Sequence, residues 1–540
     1  HRDLHLSLRR QRQMCIRDRL ILIFISISCA KRGTPDGGPI DEAPPEVIKT
    51  VPENNSVFFN DKRIRIFFNE YIKLEDLNSQ LVVSPPIEKN KYSIFPQGGA
   101  SKYIDIDINE TFTDSTTYVF NFGQSIKDNN EENELPFYKY AFSTGSYIDS
   151  LEIDGMINDS YSSKTEELIT AMLYPFNNQF DDSIVFKNKP TYVASTLDST
   201  YFKFTNLKSG KYHLVAIKDY NNNFLFDPLL DKIAFYDEIV ELPGDYEIDL
   251  KIFKEEPSFF IYKPFQNFYN RVSFGFRGNK ENLKIKIKNK NAKESTAITY
   301  EKDKDTLNFW FKEFEYDTIR MRITNKDYEE EYKLSFPKKK LDIDSLQIET
   351  DNNNSIDLGS KFVLNSNIPL NSVNNNYIKI INKDSVEVSF STNIENNNRI
   401  VFDFEVLPND NYLINLFPNS IIDFYENTID TLQYNLSTKK TSDYGTLIMN
   451  ILSLKEYPII VELLDSNEKI VKIKYLTDEL DDCIFENINP GDYSIRLIHD
   501  KNKNMKWDSG NYLKKINAER TIHSLEKIKI RANWIIRESI

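Results

Sequence analysis

Cysteine is nearly missing from this chain of 540 residues, which holds only Cys15, Cys29 and Cys483. Three thiols so far apart build neither a disulfide framework nor a zinc site. Cys483 sits in an apolar Cys-Ile-Phe strand and reads as a small buried hydrophobe. Glycine is scarce, with 16 residues against 30 tyrosines and 37 phenylalanines, and that balance favours strands because aromatic rings suit a pleated surface. A basic surplus is missing as well. Sixty-eight Lys and Arg face 82 Asp and Glu, a net charge of −14, which argues against nucleic acid, whose phosphates need basic clusters. The apolar run Leu20–Ser28 is shorter than the roughly 20 residues of a membrane-spanning helix. The sequence contains no G-x-S-x-G, H-E-x-x-H, P-loop or G-x-G-x-x-G motif and suggests no Ser-His-Asp set. His213 alternates with Tyr212 and Leu214 on a strand and reads as structural, and nothing resembles an active site.

What is present is a duplication. Phe204-Thr-Asn-Leu-Lys-Ser-Gly210-Lys-Tyr212 is followed by Asp219, Asn221, Asn223 and Asp227. Phe485-Glu-Asn-Ile-Asn-Pro-Gly491-Asp-Tyr493 is followed by Asp500, Asn502, Asn504 and Asp508. In both copies the first Asp comes nine residues after the Gly. A repeated unit means a modular chain of small domains. Forty per cent hydrophobic content is enough for real cores, and the length suits about three to five domains.

The amino-terminal stretch reads as an address. Arg17 and Arg19 precede the apolar run, as in the h-region of a secretory signal. The run stops at Cys29 between Ser28 and Ala30 and resembles a bacterial lipobox, although Ser26 stands where Leu is usual. The resemblance implies a lipidated Cys29 and a polar tether from Lys31 to Ala43, which would moor the chain to an outer membrane on its periplasmic or exposed face. The stretch Arg9–Arg19 resembles translated adapter sequence and is expected to be foreign to the fold.

Beyond the tether, strand-like segments follow one another with polar turns. Ile64, Ile66 and Phe68 alternate, as do Tyr103–Ile108 and Thr117–Phe122, and the segment closes at Tyr140-Ala-Phe-Ser-Thr-Gly145. The stretches TVPENNSV, IRIFFNEYI, TTYVFNF, SIKDNN and YAFSTG resemble the bacterial Ig-like domain named for the S-layer protein SbsA, with Asn-Asn-Glu-Glu-Asn replacing that family's Gly-Asn loop. The F-x-N-L-x-x-G-x-Y turn resembles transthyretin-like or carboxypeptidase-regulatory-like sandwiches. The mature chain as a whole resembles Ig-like lipoproteins of the Bacteroidota. The organisation expected is a foreign segment and signal n-region at 1–19, an h-region at 20–28 and a lipidated cysteine with tether at 29–43. Then come Ig-like 44–145, transthyretin-like 146–255, a β unit of uncertain type at 256–340, Ig-like 341–440 and transthyretin-like 441–540. The fold class is all-β, a string of β-sandwiches without long helices.

Two residue patterns suggest chemistry. Asp219/Asn221/Asn223/Asp227 and Asp500/Asn502/Asn504/Asp508 put oxygens at positions 1, 3, 5 and 9 of a loop, a spacing suited to calcium, but without the Gly at 6 and Glu at 12 of an EF-hand. The alternative is an Asn-rich turn that caps its own backbone. No other cofactor is expected. Asp-(Ser/Thr)-(Ile/Leu/Val/Thr) occurs nine times, with hydroxyls at Ser115, Ser150, Ser183, Ser199, Thr306, Thr318, Ser345, Ser385 and Thr431. It resembles the O-glycosylation signal of exported Bacteroidota proteins, although Asp-Ser also simply ends turns. Glu70 and Asp128 read as structural carboxylates at strand and loop ends, and Trp310, Trp507 and Trp534 read as core more than as sugar platforms. The function expected is a non-enzymatic, lipid-anchored rigid arm or scaffold for other envelope proteins. The alternative is a surface module that binds glycans.

Overall fold

A computed structural model describes residues 41–540 except 269, 289–295, 302–303, 313–317, 327, 336–344, 353, 453, 455 and 480. Cys15, Cys29, the apolar run and most of the tether therefore lie outside the described residues, as do Asp317 and Asp344. Strands dominate. The two α-helices among the described residues, Leu77–Gln80 and Ile184–Lys187, are single turns, and no described helix is long and apolar enough to cross a membrane.

Alternation in the sequence becomes alternation in burial. Ile64, Ile66 and Phe68 point into the first sandwich from Arg63–Leu74, while Arg63, Arg65 and Phe67 face outward. One sheet of this sandwich runs Val47–Val51, Arg63–Leu74, Ser101–Ile108, Tyr92–Phe95, with Ile126–Asp128 on the far end of Arg63–Leu74. The facing sheet runs Val82–Ser84, Thr117–Asn121, Lys139–Ser143. Residues 348–437 repeat this order. Ile348–Thr350, Phe362–Ser366, Arg399–Phe404 and Phe390–Glu395 form one sheet, Ile378–Ile381, Asn411–Leu416 and Leu432–Ser437 the other, and Leu370–Val373 pairs with Ile421–Asp423.

The second pair of sandwiches agrees just as closely. In residues 151–252 the larger sheet runs Tyr192–Ser195, Thr170–Pro175, Gly210–Lys218, Lys232–Phe235, with Val240–Leu242 also on Gly210–Lys218. The smaller runs Tyr201–Leu207, Leu151–Asp159, Asp249–Ile252, the last pair parallel. In residues 445–539 the larger sheet runs Ile470–Leu476, Ile459–Leu464, Gly491–His499, Thr521–His523, with Ile528–Ile530 on Gly491–His499. The smaller runs Cys483–Ile488, Gly445–Asn450, Ile535–Ser539, again with a parallel pair. The repeated turns match in detail. Asn206 and Asn487 both take left-handed φ, 60° and 52°, and the Tyr212 and Tyr493 hydroxyls donate to the Lys208 and Asn489 carbonyls at 3.1 and 2.7 Å. Residues 260–335 form a further two-sheet unit, with Phe260–Ile261, Arg271–Arg277, Thr306–Phe311 and Thr296–Tyr300 in one sheet and Lys284–Ile287, Thr318–Asn325 and Tyr328–Ser335 in the other.

The string does not run straight. Thr117 donates to Asp149 at 2.7 Å between the first and second units. Trp310 is buried with Ile368 and Phe424 between the third and fourth. Tyr444 donates to Asp357 at 2.9 Å between the fourth and fifth. The fifth unit then returns to the second, with Tyr512 and Ala518 packed on the Met172, Tyr174, Val215, Ile217, Ile233 and Phe235 face. The second to fifth units thus close a circuit, a return of the chain on itself that the expected string of sandwiches did not specify. The reason is that an apolar sheet face needs a cover, and here the cover comes from the far end of the chain.

Gly155 shows how tightly the neighbouring chain lies against its strand, since a Cβ there would lie 2.7 Å from both Cβ and the carbonyl oxygen of Ile248. Gly155→Ala is expected to lower stability by about 1–3 kcal/mol, because the backbone of the neighbouring segment must shift. A urea melt of the full chain checks this.

Candidate functional site

The two Asp/Asn loops have the same backbone. Asn222 and Phe224 in one, and Lys503 and Met505 in the other, are all left-handed. Asp219 accepts from the amides of Asn221 and Phe224 at 3.1 and 2.7 Å, and Asp500 from those of Asn504 and Met505 at 3.0 and 2.8 Å. Asn223 and Asp227 cap the amides of Leu225 and Leu229 at 2.8 and 2.9 Å. In the second loop Asn502 and Asn504 turn their amide NH2 groups onto Asp508, at 2.5 and 2.8 Å. The side chains thus serve the loop's own backbone, and among the described residues no group of three or more His, Cys, Asp and Glu is arranged to hold a metal ion. The structure adds a carboxylate to each loop. Asp231 accepts from Tyr220 and Asp227 at 3.0 and 2.8 Å, and Glu519 from Lys501 and Asp508 at 2.8 and 3.1 Å. Burial raises the pKa of Asp219 and of Glu519, and the neighbouring carboxylates push the same way. Asp231 lies four residues beyond its loop and Glu519 eleven beyond its own, so spacing alone could not pair them.

The other expected residues fall into place as follows. Ser115, Ser150, Ser199, Ser345, Ser385 and Thr431 are exposed, whereas Ser183, Thr306 and Thr318 are half-buried. Glu70 is raised by burial, with Asp128 adding to the shift, while Asp128 caps the amides of Asn130, Glu131 and Asn133. Trp310 is fully buried, Trp507 packs on Tyr161 at 4.7 Å between centroids, and Trp534 is exposed.

A group of buried polar side chains sits elsewhere, where the second and fifth units meet. The segment 509–521 lies across the second unit. Gly510 passes so close to Phe253 that a Cβ would fall 2.5 Å from its ring. Two residues on, Tyr512 enters the apolar face, its ring tilted against Phe186 and edge-on to Phe235. Its hydroxyl meets His213 Nε2 at 3.0 Å, and its amide donates to Glu255 at 2.5 Å. Lys515 pairs with Asp182 at 2.6 Å, Asn517 donates to Asp237 at 3.0 Å, and Thr521 donates to the Ser160 carbonyl at 2.8 Å. Beside them Arg496 and Glu462 form a fully buried ion pair at 2.6 Å. The Arg496 guanidinium also lies 3.5 Å from the Tyr161 ring centre and donates to the Tyr161 carbonyl at 3.1 Å. Burial pushes His213 down to about 4 and raises Glu255. Chemically, this arrangement is a clasp in which Arg496, Glu462, His213 and Tyr512 have partners across or beside the interface, while the buried Ser160 hydroxyl and His523 Nε2 make no hydrogen bond. The sequence did carry a signal for it. Ile169-Thr-Ala-Met-Leu-Tyr174, Tyr212-His-Leu-Val-Ala-Ile217 and Ile459-Ile-Val-Glu-Leu-Leu464 are nearly continuous apolar runs, which mark sheets covered on both faces.

Sandwich topology and this geometry are the setting for the likeness to known proteins. Residues 41–144 match the family described as bacterial Ig-like domain. That segment is similar to an Ig-like sandwich in sequence as well as in strand order, and the Ig-like fold of the chain rests on it. No curated protein matches the sequence. Among solved structures, surface layer protein SbsC, domains 1–6, is similar at 9% identity, covering 90% of this chain and 66% of that one, with a TM-score of 0.14. The BcpA major pilin subunit of Bacillus cereus is similar at 13% identity, covering 73% and 99%, with a TM-score of 0.13. The I9–I11 tandem from titin follows at 11%, covering 52% and 100%, with a TM-score of 0.12. Overlaps this slight carry no argument about what this chain does.

Removing one partner of the buried ion pair leaves the other uncompensated. Arg496→Met is expected to cost about 3–5 kcal/mol, while Arg496→Met with Glu462→Leu costs far less, as chemical denaturation of both variants will show. His213 supplies a pH test. Its native pKa lies below its unfolded value of 6.5, so the stability it confers is complete above about 6.5 and is lost as pH falls towards about 4. Lys515 adds to that depression and Asp182 opposes it. Between pH 7 and 4.5 the melting temperature should fall less in His213→Asn than in the unaltered chain.

Proposed function

We propose that this protein is a non-enzymatic envelope scaffold, moored to the outer membrane through lipid on Cys29 and presenting its loops and strand edges to other envelope proteins. One observation carries the reading. A constellation of buried polar side chains holds two duplicated sandwiches together, with Arg496 and His213 committed to partners inside the clasp. A circuit of docked units resists bending better than a chain of units joined only by linkers, because relative motion must break several interfaces at once. Such a frame keeps its loops at fixed separations, which suits simultaneous engagement of neighbours. The six exposed Asp-Ser and Asp-Thr hydroxyls are accessible to an O-glycosylating enzyme on an exported chain. The glycan-binding alternative would use exposed rings such as Trp534, Tyr71 and Tyr147.

Cross-linking in native membranes tests the proposal. The lipidated full chain is expected to give discrete cross-links to envelope proteins. Tyr512→Ala, which opens the clasp at a cost of about 3–5 kcal/mol, should abolish them while the chain remains membrane-bound. Cross-links unchanged by opening the clasp, or a chain recovered wholly in the soluble fraction, would overturn the scaffold.

A further inference from the structure

A polar cleft of about 720 Å³ opens between the third and fourth units, and each of its walls is the outer face of a sheet. On the third unit Val272, Phe274, Leu307 and Phe309 point into the core, so the residues between them point out. Ser273, Asn308 and Thr299 lie opposite one another on adjacent strands of that outer face. They are only 2%, 4% and 1% exposed. The Thr299 hydroxyl accepts from Trp310 Nε1 at 2.8 Å, and its own proton has no acceptor among the described residues. The Asn308 carboxamide accepts from Ser273 at 2.6 Å, but its NH2 reaches only Glu301, at 3.4 Å. Thr299 and Asn308 both line the cleft, so two buried side chains hold hydrogen-bonding capacity there that the protein itself leaves unused.

The facing wall, on the fourth unit, carries a second cross-strand row. Glu349, Asn365 and Arg399 lie opposite one another on three adjacent strands, roughly 4.8 Å from each strand to the next. The carboxamides of Gln347, Asn365 and Asn396 also line the cleft and make no hydrogen bond among the described residues. Asn398 uses only its NH2, on the Ser366 carbonyl at 3.2 Å. The two walls are fixed relative to each other. Trp310 packs on Ile368 and Phe424, the Tyr425 hydroxyl lies 3.1 and 3.0 Å from the Asn270 and Phe311 carbonyls, and Asn397 donates to the Ile298 carbonyl at 3.0 Å. A cleft held open in this way has little ordering left to do when a ligand enters.

We propose that this cleft binds a neutral oligosaccharide. The full set of charges around it disfavours charged ligands of either sign. Arg271, Lys280, Lys304 and Arg399 stand among Glu301, Glu349 and Asp351. Lys304 pairs with Glu301 at 3.1 Å, Arg399 pairs with Glu395, and Lys280 Nζ lies 3.9 Å from the Tyr300 ring centre. An anion would meet three carboxylates and a cation four basic groups. An apolar ligand would take water from carboxamides and replace none of its hydrogen bonds. A peptide strand would need a free sheet edge, whereas these groups are side chains on sheet faces. What fits is a neutral ligand that both donates and accepts at closely spaced points, as the hydroxyls of a sugar do. A carboxamide suits neighbouring hydroxyls because it sets an acceptor oxygen beside a donor NH2.

This site is separate from the scaffold reading and does not depend on it. The test probes the full chain against an array of neutral oligosaccharides built from α- and β-linked glucose, mannose and N-acetylglucosamine. At least one is expected to bind. Titration calorimetry with that oligosaccharide should give a dissociation constant of roughly 10 μM to 1 mM. The value should be the same at low and high salt, because the ligand carries no charge to be screened. Asn365→Ala removes a carboxamide that makes no hydrogen bond within the protein. It should weaken binding at least about tenfold and leave the melting temperature unchanged. Amide exchange at 347–351 and 396–399 should slow when the oligosaccharide is added. No binder on the array, an affinity that falls steeply with salt, or binding untouched by Asn365→Ala would each overturn the site. None of these outcomes bears on the envelope cross-links, so cleft and scaffold stand or fall apart.

Discussion

One apolar sheet face sets the arrangement of the whole chain. Met172, Tyr174, Val215, Ile217, Ile233 and Phe235 line the outer side of the second unit's larger sheet, the side turned away from that unit's own core. Leaving such a surface in water costs about 25 cal/mol for every square ångström. Part of the cover is local, from Val185 and Phe226, and Val82 comes from the first unit. Tyr512 completes it from the fifth unit, 299 residues beyond its hydrogen-bond partner His213. That long return brings the fifth unit onto the second and forces the third and fourth to span the gap between them.

Polar groups then give this hydrophobic contact its register. A buried ion pair is a weak source of net stability, because the loss of hydration offsets most of its Coulombic gain. Arg496 and Glu462 sit opposite each other on adjacent strands of the fifth unit and keep each other paired, while Arg496 alone reaches across to the second unit, a contact that sliding the interface would break. Tyr161 reinforces that alignment with its ring and its carbonyl, and Thr521 with its bond to Ser160. Gly510 admits the closest approach, next to Phe253.

Duplication preserved the sandwiches and changed their surroundings. Both copies keep the same strand order, the same left-handed turn at Asn206 and Asn487, and the same first-position Asp capping the Asp/Asn loop. They differ in what each outer surface touches. In one copy the edge Tyr192–Ser195 is covered by a neighbouring unit, and in the other Ile470–Leu476 stands open. Likewise, one loop is closed by Asp231 and the other by Glu519, drawn from different distances along the chain. Identical folds thus differ in the contacts their outer surfaces make.

Local physical chemistry made the sandwiches legible in the sequence. Period-two alternation at Ile64/Ile66/Phe68 dictates which face is buried, and the Phe204–Tyr212 and Phe485–Tyr493 turns carry the chain from the smaller sheet to the larger, because those constraints act between residues close in the chain. The position-1 Asp as a loop cap was equally within reach of sequence, as the turn-capping reading shows. The clasp was not. Continuous apolar runs such as Leu168–Tyr174 announce that both faces need cover, but many apolar segments could satisfy that demand. Pairing Tyr512 with His213 and Arg496 with Tyr161 depends on three-dimensional proximity across long stretches of chain. Burial is non-directional, so sequence states the need for a partner, and only the packed tertiary structure selects which surface meets it.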